Sequence, residues 1–383
     1  MARRTGAAIG RPNRRPRRCV FLAGSAALGL SLLAGTASAQ HAQVGGVEPD
    51  GTVVVPSFRL PPSIYLSEEA KRALPREAVD LEENSARMLA EGRIPDNRRR
   101  MPTLMAPMIA HVAERFPVTM RETSIAGIQA VSVTPAGGVP ARNRNKILLN
   151  LPGGGFMQGA AGGTGMVESI PVAAAANVEV VSITYRQAPE AKFPAASEDV
   201  TAVYRVLLKT HRPSDIGIFG CSAGGLLAAE AMAWFEKERL PMPGALGLFC
   251  SSADARQGSD SLAWYRPFLG LTPRPPAPER TYFGSHDLDD PLASPVVSPE
   301  VLRHFPPTLI ITSTRAHDMS AAVNTHRELI KAGVDADLHV WDGLGHGFIY
   351  NVDLPESREA FAVMASFFRK HLGLAPAVAG KPR

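Results

Sequence analysis

Short apolar runs alternate with helical repeats through most of this chain. Helical spacing of apolar residues occurs near 165–176, 196–210, 223–237, 319–332 and 355–371. The intervening β-rich runs are Val118–Ser124, Ile128–Thr134, Ile147–Leu151, Val178–Tyr185, Ile216–Phe219, Ala245–Cys250, Thr308–Thr312 and Ala336–Trp341. Because most of these runs are almost entirely apolar, the pattern predicts an α/β fold with a mostly parallel central sheet and helices on both faces.

Two segments stand outside this alternation. Helical patterns at 67–92, with Ser67 as its N-cap, and at 103–115 precede the first strand. The long segment 252–300 carries aromatic residues around Trp264 that could line a substrate pocket or form a local core. We predict one domain over 63–383, with a helical cap built from about 63–117 and part of 252–300. A polar spacer over 40–62 precedes it.

The N-terminal 39 residues are typical of an export signal. Seven arginines and no acid lie in this segment, an apolar stretch runs from Cys19 to about Leu33, and Ala37-Ser38-Ala39 has the small-x-small pattern of a cleavage site. The pair Arg17-Arg18 leaves both the general secretory route and the twin-arginine route open. We therefore predict a signal peptide over 1–39 and a periplasmic or secreted protein with no stable membrane span once the leader is removed.

Charge and cysteine content narrow the function classes. The formal net charge is +5, but it becomes −2 without the leader, so the sequence predicts no nucleic-acid partner. The mature chain keeps Cys221 and Cys250, which end predicted buried strands and are expected to be free thiols. No metal-ligand spacing of Cys and His occurs, so no metal site is predicted. Homo-oligomerisation is left open.

The strongest chemical motif is Gly220-Cys221-Ser222-Ala223-Gly224, between a predicted buried strand and a predicted helix. A nucleophilic serine on a sharp strand-to-helix turn needs neighbours without side chains, which explains the glycines. Ser222 is therefore the predicted nucleophile. The alternative is a glycine-rich turn with a bystander serine.

A second glycine-rich segment, Pro152-Gly153-Gly154-Gly155, ends another apolar strand. Its exposed N–H groups can stabilise the negative oxygen that develops when an ester carbonyl is attacked. Gly154 and Gly155, together with Ala223 after the nucleophile, are the predicted oxyanion donors. A flexible turn or a phosphate-binding loop are the alternatives, although no Gly-Lys-Ser/Thr ending follows.

A nucleophilic serine needs a base and a carboxylate that orients it. Among ten histidines, His346 lies in a glycine-rich loop directly after the last predicted strand, where parallel sheets place their chemistry. Asp318 follows the strand Thr308–Thr312 and gives the chain order Ser, Asp, His that such a sheet favours. Asp318 is therefore the predicted acid; its rivals are Asp342, Asp337, Asp287 and Asp289.

Together these motifs resemble the α/β-hydrolase superfamily, and within it the bacterial hormone-sensitive-lipase-like carboxylesterases. The segment 183–200, with Tyr185-Arg186-Gln187-Ala188-Pro189-Glu190 and Phe193-Pro194-Ala195, carries the resemblance most specifically, and the match extends over roughly 145–370. It implies a capped α/β-hydrolase that cleaves small carboxylic esters without a cofactor. We interpret Tyr185, Arg186, Glu190 and Asp199 as a structural polar network.

The sequence departs from the family pattern at three places. Pro152 stands where a histidine usually precedes the glycines, and Cys221 where an aspartate usually precedes the nucleophile. The Leu and second Asp that usually follow the catalytic Asp are replaced by residues of the stretch 319–322. We expect an altered glycine loop and a changed pH profile.

The predicted function is a serine hydrolase that cleaves small-molecule esters through Ser222, His346 and Asp318 and an acyl-enzyme intermediate. The alternatives on the same fold are a peptidase, a lactonase or a sugar-acetate esterase. A non-catalytic binding module is the alternative from another class, and the presence of all three candidate residues argues against it.

Overall fold

The computed structural model of the 383-residue chain describes residues 45–74, 81–256, 258–272 and 281–375. The chain divides into two compact units, 1–59 and 60–383. In the described part of the first unit, β1 (Gly46–Val47) and β2 (Val53–Val54) pair antiparallel within the segment predicted as a spacer. The predicted signal peptide, 1–39, lies outside the described residues.

The described part of the second unit is built on an eight-stranded sheet with the order β10-β9-β8-β7-β5-β6-β4-β3. Strand β4 is antiparallel to β3 and β6, whereas every other neighbouring pair is parallel. The mostly parallel sheet is therefore confirmed. Its strands are β3 (Val118–Ile125), β4 (Ile128–Pro135), β5 (Ile147–Leu151), β6 (Glu179–Ile183), β7 (Ile216–Cys221), β8 (Ala245–Phe249), β9 (Thr308–Ser313) and β10 (Ala336–Trp341).

Helices cover both faces of the sheet, as predicted. Within the described residues they are α1 (Glu68–Ala73), α2 (Leu81–Ala90), α3 (Ile94–Arg115), α4 (Thr164–Ala176), α5 (Ala195–Leu207), α6 (Ala223–Lys237), α7 (Asp260–Phe268), α8 (Pro299–Leu302), α9 (Met319–Lys331) and α10 (Pro355–Leu372). Side chains of α5, α6, α8 and α9 fill one core, and side chains of α1, α3, α4 and α10 fill the other. Successive residues of β5 alternate between them: Leu148 faces one core and Leu149 the other.

The N-terminal helices differ from the prediction. The single helix expected over 67–92 is divided, because α1 ends at Ala73 and Leu74 adopts an extended conformation. Leu74 precedes a proline, and a residue before proline is disfavoured in the helical region. Ser67 caps α1 as predicted, since its hydroxyl accepts a 3.0 Å hydrogen bond from the Ala70 N–H.

Helix α3 begins at Ile94, well before the predicted start at 103, and continues through Pro102 and Pro107. Proline lacks the N–H that bonds the preceding turn, so the sequence pattern alone favoured a later start. Among the described helices, none combines the length and the apolar composition that crossing a bilayer requires.

Candidate active site

Ser222 lies on a sharp turn between β7 and α6. Its backbone has φ 56° and ψ −126°, in the region that residues with side chains rarely adopt. A Cβ atom at Gly220 would lie 2.4 Å from the carbonyl carbon of Gly224, and one at Gly224 would lie 1.8 Å from the Leu151 oxygen. The glycines therefore allow α6 to approach β5 closely enough to form the turn.

The structure brings the three predicted residues together from separate loops. The Ser222 Oγ lies 2.9 Å from His346 Nε2, and His346 Nδ1 lies 2.7 Å from Asp318 Oδ1. Asp318 is 7% exposed, and its second oxygen accepts a 2.6 Å hydrogen bond from the Thr312 hydroxyl. These contacts form a continuous hydrogen-bonded chain of hydroxyl, imidazole and carboxylate after β7, β10 and β9.

The electrostatics of the pair favour a basic imidazole beside an ionised acid. Burial disfavours the charge on Asp318, but the hydrogen bond and charge of His346 outweigh it and leave the pKa of Asp318 below its usual value. Burial likewise opposes protonation of His346, yet Asp318 raises the pKa of the imidazole above its usual value. Asp318 is therefore a carboxylate at neutral pH, where it stabilises the protonated form of His346.

The rival acids have other partners. Asp342 accepts hydrogen bonds from Ser63 and from Thr314, the latter at 2.9 Å, although it lies near the base in sequence. Asp287 accepts the N–H of Asp289, and Asp337 is exposed on β10. In the part of the chain that the structure describes, His346 bonds none of these four acids.

The predicted oxyanion donors lie beside the serine turn. Gly154 and Gly155 have φ values of 142° and 62°, and a Cβ atom at Gly154 would lie 2.4 Å from the Gly159 nitrogen. No acceptor among the described residues bonds the N–H groups of Gly154, Gly155 or Ala223. The N–H of Gly153, in contrast, donates to Glu168.

The same loops contain the group of potential metal ligands found among the described residues. Donor atoms of His317, Asp318 and His346 lie within 4.8 Å of one another. Both ring nitrogens of His346 and both oxygens of Asp318 already take part in the hydrogen bonds above. A metal ion here would have to break the chain that joins the imidazole to the serine and the acid.

Sequence reasoning missed His317 and Glu168, whereas Tyr265 belongs to the aromatic residues around Trp264 that were considered for a pocket or a local core. The His317 ring lies 4.1 Å from the His346 ring, and Tyr265 of α7 meets His317 edge-on at 5.2 Å between centroids. Glu168 is buried beneath the glycine loop. The signal for Glu168 in the sequence was a lone acid within the apolar helix α4. The sequence could not show that Tyr265 lies near His317, because Tyr265 belongs to a long excursion of the chain whose course periodicity does not define.

The polar segment after β6 forms a network, as interpreted. Asp199 accepts the backbone N–H and the guanidinium of Arg186 at 2.7 and 2.8 Å. The Tyr185 hydroxyl donates to the Pro152 oxygen at 2.7 Å, and Glu190 pairs with Arg98 of α3 at 3.0 Å. Cys221 and Cys250 are buried free thiols, which confirms that expectation.

Comparison with known proteins agrees with this geometry. A family model described as alpha/beta hydrolase fold matches residues 148–350, more than half of the chain. The chain belongs to the α/β-hydrolase family. An acetyl-hydrolase of Streptomyces hygroscopicus is 32% identical to this α/β-hydrolase over 240 residues, which cover 61% of this chain and 79% of that protein.

Similar solved structures indicate the group within the family to which this α/β-hydrolase belongs. The crystal structure of an esterase E25 is 28% identical with a TM-score of 0.68, covering 84% of this chain and 99% of that chain. An esterase from the bacterial hormone-sensitive lipase family is also 28% identical, with a TM-score of 0.62, covering 73% of this chain and 92% of the other. These relatives place the chain among carboxylic ester hydrolases of the hormone-sensitive-lipase-like group.

The bond from Thr312 to the acid is expected to contribute more to stability than an equivalent bond on the same strand. Thr312→Val should lower the free energy of unfolding by about 1.5–3 kcal/mol, because it removes the hydroxyl donor from an acceptor that is ionised and buried. Thr308→Val, which removes an equally buried hydroxyl that donates to the Pro306 oxygen, should cost about 0.5–1.5 kcal/mol. Chemical denaturation at neutral pH measures both.

The difference between the two variants should depend on pH. The pKa of Asp318 is lowered by folding, so its contribution is present above the unfolded pKa of about 3.9 and is lost as the pH falls through the folded pKa. Equal costs at neutral pH would contradict the view that the Thr312 acceptor is a carboxylate.

Proposed function

We propose that this protein hydrolyses short-chain carboxylic esters through a Ser222–His346–Asp318 triad and an acyl-enzyme intermediate. The observation that carries the proposal is the pair of hydrogen bonds, 2.9 and 2.7 Å long, that joins the serine to the imidazole and the imidazole to the buried acid. Nucleophile, base and orienting acid are thus already within bonding reach.

Chemistry begins when the Ser222 Oγ attacks the ester carbonyl and His346 Nε2 accepts its proton. His346 then donates that proton to the leaving alcohol, and an ester bond between the acyl group and Ser222 remains. A water molecule deprotonated by His346 attacks this ester, and His346 then returns the proton to the leaving Ser222 Oγ, which releases the carboxylic acid and restores the serine. Asp318 keeps the imidazole oriented through Nδ1 and stabilises its protonated form.

A tetrahedral intermediate with a negative oxygen forms both when Ser222 is acylated and when water removes the acyl group. The N–H groups of Gly154, Gly155 and Ala223 are proposed to bind it, and their lack of acceptors among the described residues supports that role. Ala223 is also the first residue of α6, whose N-terminus carries partial positive charge. The turn at Ser222 therefore places the nucleophile beside an electrostatically favourable position for the oxyanion.

We propose that the substrates carry a short acyl group, and the similarity to an acetyl-hydrolase supports this. The cap expected over 63–117 and part of 252–300 would enclose them. Arg98 of α3 donates to the Met157 and Ala188 carbonyl oxygens at 2.7 and 2.6 Å, which ties α3 to the segments that follow the glycine loop and β6. Tyr265 of α7 reaches the base through His317, which favours a pocket role for this aromatic residue.

Replacing the nucleophile gives the primary test. Ser222→Ala should lower kcat/KM by about 10⁴-fold or more while the protein stays folded, because the remaining groups only bind and polarise the ester. Ser132→Ala, a buried serine of β4, is the matched control and should keep full activity. With p-nitrophenyl esters of increasing length, kcat/KM should be highest for acetate to butyrate.

Lactones and aminoacyl amides tested with the same preparations distinguish the other hydrolase classes. Full turnover by Ser222→Ala would refute the triad, and a preference for long acyl chains would refute the proposed substrate class.

The acidic limb of the pH profile should report His346. Since Asp318 raises the pKa of this imidazole above its ordinary value of about 6.5, kcat/KM should fall as the pH drops through a midpoint above that value. Asp318→Asn should lower kcat by about 10⁴-fold and move the midpoint to lower pH. Asp342→Asn, at the acid nearest in sequence, should leave the midpoint in place; an unmoved midpoint in Asp318→Asn would count against the assignment.

We also propose export of the protein after cleavage behind Ala39. N-terminal sequencing of protein recovered outside the cytoplasm of an expressing bacterium should begin at Gln40. Replacing Arg17 and Arg18 by lysine should block export by the twin-arginine route and leave the general secretory route intact. Full-length protein retained inside the cell would contradict the proposal.

A further inference from the structure

A buried carboxyl group beneath the glycine loop takes no part in the steps above. Glu168 lies in the second turn of α4 and is 2% exposed. Its neighbours in the helix are apolar or small, so nothing in the packing of α4 itself requires an acid there. A buried carboxyl group is costly unless its oxygens are bonded, and its partners therefore reveal what it holds.

Each oxygen of Glu168 accepts hydrogen bonds from groups next to the site. Oε1 accepts the N–H of Gly153 at 2.8 Å and the hydroxyl of Tyr350 at 2.9 Å. Oε2 accepts the side-chain amide of Asn150 at 2.8 Å, and the amide oxygen of Asn150 accepts the Ser182 hydroxyl at 2.7 Å. The carboxyl group thus bonds the strand end, the glycine loop and the segment that follows the base.

Three segments converge on this point. A Cβ atom at Gly153 would lie 2.8 Å from the Cys221 oxygen, 2.8 Å from the Tyr350 hydroxyl and 3.3 Å from Glu168 Oε1. Cys221 directly precedes the nucleophile, and Tyr350 ends the short turn that follows His346. Glu168 is therefore in the middle of the three chain segments that carry the donors, the nucleophile and the base.

We propose that Glu168 is a positioning residue: it fixes the peptide of Gly153 so that the following N–H groups face the oxyanion, and it ties this loop to the base segment through Tyr350. The inference rests on the proposed function, since it assigns a purpose to the donors of Gly154 and Gly155.

The Gly154 oxygen accepts the N–H groups of Met157 and Gln158 within the loop, but its start, at Gly153, is held by side chains from outside it. Glycine has the largest backbone freedom, so holding Gly153 to Gly155 in one conformation requires bonds from outside. The Gly153 oxygen accepts the Thr164 hydroxyl at 2.8 Å, and Glu168 holds the N–H of the same residue. Pro152, before it, has no N–H to contribute. Glu168 thus supplies the acceptor that orients the first peptide of the turn.

The protonation state of Glu168 decides which substitutions at this position test its role. Burial raises the pKa of Glu168 to about 7, against the hydrogen bonds from Gly153, Asn150 and Tyr350, which favour the ionised form. The titratable groups that face it are Cys221 of β7, Tyr350 and Tyr185, and burial raises the pKa of each. No cation is among these groups, so dipoles alone stabilise the charge. Glutamine therefore resembles the protonated form and keeps one acceptor oxygen.

The test compares Glu168→Leu and Glu168→Gln with the same substitutions at Glu230, a fully buried acid of α6 that accepts the Ser197 hydroxyl. Displacement of the donors should lower kcat of Glu168→Leu by about 100-fold with KM little changed, because the oxyanion forms only after attack. Glu168→Gln, which can still accept from Gly153, should lose about fivefold, and a trifluoromethyl ketone should inhibit both variants more weakly, in parallel with kcat/KM.

Three results would overturn the inference. They are an unchanged kcat in Glu168→Leu, an unchanged affinity for the ketone, or an equal loss of kcat in the Glu230 variants. If Glu168→Leu does not fold, Glu168→Gln and Tyr350→Phe test the inference instead. A wild-type kcat in both of these variants would refute the positioning role of Glu168. An active Ser222→Ala would instead refute the proposed function, so the two failures are distinguishable.

Discussion

The close approach of α6 to β5 is the constraint on which the rest of the site depends. With 1.8 Å between the Leu151 oxygen and the position of a Cβ at Gly224, no other residue fits there without displacing the backbone. This contact forces the sharp turn, gives Ser222 its unusual backbone angles and places the first N–H of α6 beside its hydroxyl. Ser222 and one proposed donor are therefore positioned by the packing of a helix on a strand, which belongs to the rigid core.

Asp318 and His346 approach Ser222 from the same side, because all three residues follow the carboxyl ends of parallel strands. Asp318 and His346 follow β9 and β10, and buried bonds hold them in turn, as Thr312 does for the acid. Glu168 extends this arrangement to the glycine loop, where backbone freedom is greatest. Polar groups that are buried and fully bonded have one favourable arrangement, so the same network that costs desolvation also defines the geometry.

The sheet, and the three residues that the structure joins by hydrogen bonds, could be predicted from the sequence because each depends on local rules. Strand periodicity, the glycine spacing around Ser222 and the position of His346 after a strand are properties of short segments. The interrupted N-terminal helix, the early start of α3 and the partners of Asp342 depend on tertiary contacts or on single prolines. Glu168 is marked in the sequence as a lone acid in an apolar helix, but its role was missed because its partners are 15 to 182 residues away along the chain.

The helices proposed to enclose a substrate lie, along the chain, outside the strands that precede the proposed triad. Helices α1 to α3 precede β3, and α7 belongs to the long excursion between β8 and β9. Neither therefore interrupts β7, β9 or β10, the strands that precede Ser222, Asp318 and His346. Substitutions, insertions or deletions in those helices can reshape the space for acyl and alcohol groups without interrupting these strands. Lineages sharing this framework can thus diverge in the molecules they accept while the chemistry of bond cleavage is inherited unchanged.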